Sequence, residues 1–188
     1  GVAVQVQGGD GTTTDGQGAY QLPGSGLAIA GFTRDGYTPA WREVLVPGGG
    51  VATPLDVRLR PRASTTAITV RDGGTIPNGT ATLDVPVASL RADAAVALTP
   101  LGAQALPAPL PLGWAPVAAF EVDTGGVTLG APLALVLPNT TPDPDRDVAV
   151  RFDAETRRWL RIEMENGVGA RIPIASTGAV ALARRDLV

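Results

Sequence analysis

The chain contains no cysteine, no histidine and no lysine, and its 15 basic residues are all arginine. Without cysteine there is no disulfide, no thiol nucleophile and no thiolate metal site. Without histidine the commonest general base and the commonest transition-metal ligand are missing. Without lysine there is neither a Schiff-base amine nor a Lys–Asn isopeptide crosslink. Serine is scarce (Ser25, Ser64, Ser89, Ser176), and no Gly-x-Ser-x-Gly elbow occurs. The net charge is −3 and the arginines are scattered, with no basic run and no aromatic ladder, which argues against nucleic acid as a partner. No apolar run reaches membrane-spanning length, so membrane insertion is not expected. No signal-peptide pattern is seen in the stretch. Gly1 falls inside a strand pattern, so the chain is expected to be a piece of something longer, with any secretion signal upstream.

Glycine and proline are what the chain has in excess. The 24 Gly and 17 Pro among 188 residues are spread between short apolar runs, a pattern of many short strands joined by tight turns. Arginine in place of lysine, with abundant Ala, Gly and Pro, is the usage expected of a GC-rich bacterial gene. The length allows one large or two small domains.

The first half alternates with period two. Residues 2–7 place Val2, Val4 and Val6 on one face, the pattern of a strand with one side in a core. Thr12, Thr13 and Thr14 run extended into an Asp15-Gly16 turn, and Ala19-Tyr20-Gln21-Leu22 predicts the return strand of a hairpin. Residues 27–33 form the next strand, Asp35-Gly36 a further turn, and residues 38–46 an extended run set by Pro39. Residues 55–60 alternate strictly, apolar against charged, and Pro61 stops them.

The matching residues Thr14, Asp15, Gly18, Tyr20, Leu22, Gly36, Tyr37, Asp56 and Leu59 span residues 1 to about 60. In this order they resemble the carboxypeptidase regulatory-like domain, a prealbumin-like (transthyretin-like) β-sandwich, here without its usual opening strand. The resemblance implies an accessory module that braces, spaces or helps fold a larger secreted protein. Tyr20 and Tyr37 offer a ligand-stacking reading, but core or sandwich-edge packing is preferred, because ligand aromatics usually come as clustered exposed pairs.

Residues 62–66 are small and polar and follow a Pro-stopped strand, which marks a boundary. Beyond it, strands are predicted at 67–70, 80–86, 94–100, 116–122, 127–129, 131–138, 170–174 and 178–183, with Asn78-Gly79 as a hairpin turn and a short helical turn at 87–93. Residues 148–153 and 158–162 predict a hairpin across Ala154-Glu155-Thr156-Arg157. Leu101 to Trp114 is apolar and carries Pro107, Pro109 and Pro111, which bar a helix interior and a central strand. It is expected to cover the sandwich with Leu106, Leu110, Leu112 and Trp114 turned inward, the alternative being an apolar docking strip.

Gly73-Gly74-Thr75, Leu83-Asp84-Val85-Pro86-Val87-Ala88-Ser89-Leu90 and Val96-Ala97-Leu98-Thr99-Pro100 resemble a ZU5-type β-sandwich. Val87-Ala88-Ser89 departs from that family's Pro-Gly-Ala step. Phe152, Asp153, Thr156 and Trp159 match a pattern found beside such domains in large bacterial surface and RHS-repeat proteins. Some ZU5 domains cleave their own backbone at His-Phe-Ser. With no histidine here, and with Phe120 and Phe152 followed by Glu121 and Asp153, that chemistry does not carry over.

Asp143, Asp145 and Asp147 alternate in a loop and are the candidate Ca²⁺ ligands. The EF-hand glycine and glutamate are absent, so a solvated acidic turn partly neutralised by Arg146 is the preferred reading, and Asp10 and Asp15 take the same discount. No cofactor is expected. Paired carboxylates for glycosidase chemistry are always available among 18 acids and decide nothing. The expectation is therefore all-β: two consecutive β-sandwiches, prealbumin-like over 1–61 and ZU5-like over 62–188, and no enzyme. They would be structural modules of an extracellular or cell-surface bacterial protein, partnered by neighbouring domains or other subunits. The alternatives are a carbohydrate- or Ca²⁺-binding module and a subunit of an extracellular fibre.

Overall fold

The computed structural model describes residues 1–167 and 169–186; Val168, Leu187 and Val188 lie outside the described residues. The protein is all-β, 49% strand and 2% helical, with three antiparallel sheets. By its internal contacts the chain divides into two compact units. One is Gly1–Pro61 with Gln104–Pro109, the other Arg62–Ala103 with the chain from Leu110 onward.

The first unit is built on one four-stranded sheet. Its strands are β1 (Ala3–Val6), β2 (Gly11–Thr13), β3 (Gly26–Thr33) and β4 (Ala40–Val46), in the order β2-β1-β3-β4. The register pairs Val4 with Phe32, Val6 with Ala30, and Ala30 with Arg42. One face therefore carries Val4, Val6, Ala28, Ala30, Phe32, Val44 and Val46. Val4, Ala30 and Phe32 form the buried cluster, and Val2, Tyr20, Leu22, Val57 and Leu59 pack against it. The opposite face exposes the directly paired Leu27 and Leu45, while Trp41 lies over Gly31, where a Cβ would come within 3.2 Å of the indole.

In this unit two expected strands are not formed. The hairpin of β2 closes with β1 across residues 7–10, not with residues 19–22. Residues 19–22 and 55–60 are coil that turns Tyr20, Leu22, Val57 and Leu59 toward the sheet. Alternation reports which side of a chain is dry, and a single dry side does not require a ladder partner. The Asp15 turn does form: its carboxylate accepts from the Gln17 and Ala19 amides at 2.8 and 2.9 Å.

The second unit holds β5 (Thr66–Ile68), β6 (Gly74–Asn78), β7 (Ala81–Val85), β8 (Ala94–Pro100), β9 (Trp114–Asp123), β10 (Leu133–Leu137), β11 (Asp147–Asp153), β12 (Arg158–Ile162), β13 (Glu165–Gly167), β14 (Gly169–Ile174) and β15 (Gly178–Arg185). They make a five-stranded sheet, β13-β14-β10-β7-β6, and a six-stranded sheet, β12-β11-β15-β9-β8-β5. The core draws Leu83, Leu133, Leu135, Leu137 and Ile172 from the first and Val96, Leu98, Phe120, Val122 and Leu182 from the second. Two antiparallel sheets sharing one core in this way make a β-sandwich. Gly73 sits at φ +62°, where a Cβ would collide with the Val85 carbonyl, so the Gly73-Gly74 step is fixed by close backbone approach. Residues 87–93 form turns and no helix, and residues 127–129 contribute only the Leu90–Leu129 bridge.

The Phe152, Asp153, Thr156, Trp159 pattern is a hairpin in physical terms. Phe152 faces Trp159 across β11 and β12, with the rings 5.4 Å apart and edge-on at 62°. Asp153 accepts from the Thr156 hydroxyl at 2.9 Å and the Glu155 amide at 3.1 Å, and these bonds hold its carboxyl below the ordinary range. Arg157 takes the left-handed position of the turn at φ 56°.

Candidate functional site

The segment with the prolines is divided between the two units. Residues 104–109 belong to the first unit. Leu106 is buried as expected, but Leu112 is fully exposed and Leu110 and Trp114 are half-buried, so the expectation that all four turn inward is corrected. Prolines leave unpaired carbonyls without matching amides, and these carbonyls are what the first unit uses. The Trp41 amide on the outer edge of β4 donates to Pro107 O at 2.6 Å, and the Arg58 amide donates to Gln104 O at 3.2 Å.

Arg42 lies on the apolar face of β4 and is 3% exposed. Its guanidinium donates to Leu106 O, Pro107 O and Gln104 O at 3.2 Å each, and to its own neighbour Trp41 O at 2.7 Å. Burial lowers its pKa from the ordinary arginine value, yet arginine stays protonated, and carbonyl oxygens replace its water shell. Thr38, also buried, accepts from the Arg60 amide at 3.2 Å and donates its own amide to Arg60 O at 2.9 Å. Arg42 and Thr38 therefore tie residues 104–109 and 55–61 to the sheet. Neither was singled out from the sequence. The available signal was parity: Arg42 shares the inward side with Ala40, Val44 and Val46.

Between the apolar face of this sheet and the coil of residues 18–24 and 50–59 lies a cavity of about 1060 Å³. Its floor is Val2, Val6, Ala28, Ala30, Phe32, Val44 and Val46, and its cover includes Tyr20, Leu22, Val57 and Leu59. Tyr20 meets Phe32 edge-on at 5.6 Å, and burial raises its hydroxyl above the ordinary value. Tyr37 lies at one end with the Arg34 guanidinium 4.6 Å above its ring. Tyr20 and Tyr37 are both half-buried, in these separate contacts, and do not form an exposed stacking pair.

In the second unit the acidic loop has a different construction from a cation cage. Asp147 has no exposed side-chain surface and receives two parallel bonds from Arg184, at 2.6 and 2.7 Å. Its Oδ2 also accepts the Asp143 amide at 2.9 Å. Arg184 outweighs burial and holds the Asp147 carboxyl below the ordinary range. Asp143 caps the turn by accepting the Asp145 amide at 3.0 Å, and Asp145 lends its main-chain carbonyl to Arg185. Among the described residues no group of three or more acidic side chains is arranged to hold a metal ion. Arg184 is the main neutralising cation of Asp147, and Arg146, which also donates to Arg185 O, adds the smaller favourable charge expected of it.

Glu121 is the other buried acid. It lies beside Asp123 on β9, and Arg62 reaches both, at 3.1 and 3.4 Å. Burial raises the Glu121 carboxyl above its ordinary value, and Arg62 opposes that rise. Among the described residues no helix is long and apolar enough to cross a membrane. No protein-family model matches the chain, and no curated protein matches it.

Proposed function

We propose that the chain supplies non-catalytic structural modules of a large secreted or surface-exposed bacterial protein, of the RHS-repeat kind. It acts as spacer, brace and docking surface for neighbouring domains or subunits. The observation that supports this reading most is the use made of buried charge. Arg42 is spent on main-chain carbonyls, Asp147 on Arg184, and Glu121 on Arg62. Catalysis needs such groups poised toward a substrate with shifted, unspent protonation chemistry. Here each one fastens a loop or strand. No cofactor is part of the proposal.

The test is a turnover panel on the 188-residue chain with glycoside, ester and peptide substrates. No turnover is the expected result. Turnover that disappears in Glu121→Gln or Asp123→Asn contradicts the proposal.

A subunit of an extracellular fibre is the second reading, supported by β4, which is an edge strand carrying the exposed Leu45 beside Leu27. Concentration-dependent assembly that Leu45→Lys abolishes supports it, and a monomer at all concentrations removes it.

A further inference from the structure

The loop between β8 and β9 is fixed at its two ends and gripped in its middle. At one end the Leu101 amide donates to Ala119 O at 2.8 Å. At the other the Trp114 amide donates to Pro111 O at 3.1 Å, and Gly113 O accepts the Asp186 amide at 2.8 Å. These bonds lie within the second unit, whereas residues 104–109 belong to the first. There the donors are the Trp41 amide, the Arg58 amide and the Arg42 guanidinium.

This grip reads main chain and shape. Gln104, Leu106 and Pro107 present carbonyls, and Leu106 adds a buried apolar side chain. Pro107 and Pro109 fix φ, so the segment is stiff before it is held and loses little entropy on docking. A stiff chain that offers carbonyls along the outer edge of β4 follows the logic of strand addition, with an arginine fork supplying donors that a ladder would otherwise supply.

The segment can also be handed on. The bonds that hold Gln104, Leu106 and Pro107 come from the first unit, and breaking them leaves the bonds at the loop ends intact. Gly102 and Gly113 flank the segment, both exposed, with no atom within 4 Å of where a Cβ would stand. Within one chain the segment is separated from Pro61 by Arg62–Ala103 of the second unit. The advantage of self-contact is therefore an effective concentration, which a second copy matches at about millimolar.

We propose that residues 104–109 pass between copies of the chain. The first unit of one copy takes the β8–β9 loop of another and seats its Gln104, Leu106 and Pro107 carbonyls on Arg42 and the edge of β4. A loop on one copy and an edge on the next make a head-to-tail contact, which extends into a row of copies unless its rotation closes a ring. The inference rests on the docking role proposed above and names its partner, a second copy; a chain that does not exchange leaves the non-catalytic reading standing.

Two forms of the 188-residue chain test this in a mixture. One carries Arg42→Met, which spoils the edge and keeps the loop. The other has residues 104–109 replaced by a Gly-Ser linker of equal length, which removes the loop's contacts and keeps the edge. The mixture is expected to sediment as a one-to-one complex in which the Trp41 amide of the linker form exchanges about tenfold more slowly than in that form alone. A synthetic peptide of residues 103–110 at about 1 mM should slow the same amide. A mixture that stays monomeric with Trp41 exchange unchanged overturns the proposal, and so does a peptide that leaves the amide fast. A complex in which the Trp41 amide stays fast overturns it as well, because such a complex uses another surface.

Discussion

Arg42 Nη1 donates to Leu106 O at 3.2 Å across 64 positions of chain. The same guanidinium holds the carbonyls of Gln104 and Pro107, so one buried cation anchors residues 104–109 to the first unit. A fixed planar fork of donors suits this task, since it meets several carbonyls at once.

Arg42→Met is therefore expected to destabilise the first unit by about 3 kcal/mol, because it leaves buried carbonyls without donors. Arg42→Lys should recover little, lacking the fork. Urea denaturation followed by hydrogen exchange at amides of β3 and β4 measures both. A loss no larger than that of a surface arginine such as Arg91→Met contradicts the anchoring role.

Stability should fall in acid through Asp147. Its folded carboxyl is held below the unfolded value by Arg184, so its contribution is present above the unfolded pKa, about 3.9, and is lost as pH falls through the folded one. Asp147→Asn should lower the melting temperature at neutral pH by several degrees and flatten the acid limb. Asp145→Asn, which removes no side-chain bond of this clamp, should do neither. Melting curves between pH 2 and 7 decide it.

Glu121 works in the opposite direction. Its folded carboxyl is raised by burial, so the folded state holds its proton more tightly, and stability declines as pH rises from the unfolded pKa through the folded one. Glu121→Gln should keep the Arg62 contact geometry and remove that decline. A pH–stability profile unchanged by the substitution contradicts the assignment.

Calcium should leave the protein's melting temperature unchanged at millimolar concentration, because Arg184 already neutralises the acid that sits deepest in the loop. An upward shift that Asp143→Asn abolishes contradicts this reading of the loop.

The β11–β12 hairpin should depend on its facing rings. Phe152 is 6% exposed, and Phe152→Ala is expected to cost about 3 kcal/mol. A double-mutant cycle with Trp159→Ala should return a coupling of about 1 kcal/mol. Simple additivity of the two losses contradicts a direct ring–ring contribution.

Much of this architecture was readable in the alternation of the chain, and the exceptions have physical causes. β3, β4, β8, β11, β14 and β15 bury one face or both, and their residue patterns say so. Residues 55–60 show an equally clean alternation without being a strand, because Val57 and Leu59 are held inward by Thr38 and by residues 104–109 in place of a neighbouring ladder. The short β13 carries Glu165, whose carboxylate meets Arg171 at 3.3 Å, and no apolar pattern announces it. The acidic run was visible in the sequence, but its partner Arg184 lies 37 positions away, and only the pairing of β11 with β15 brings them together. The cavity was not readable, since it depends on which apolar residues go uncovered.

Hydrogen exchange at the Trp41 amide tests most directly that residues 104–109 complete the first unit. The amide lies on the outer edge of β4 and donates to Pro107 O at 2.6 Å. Slow exchange is predicted in the native chain, with protection lost when residues 104–109 are replaced by a Gly-Ser linker of equal length. Exchange at Trp41 as fast as at Glu43 and Leu45 in the native chain, or protection that survives the replacement, contradicts the account.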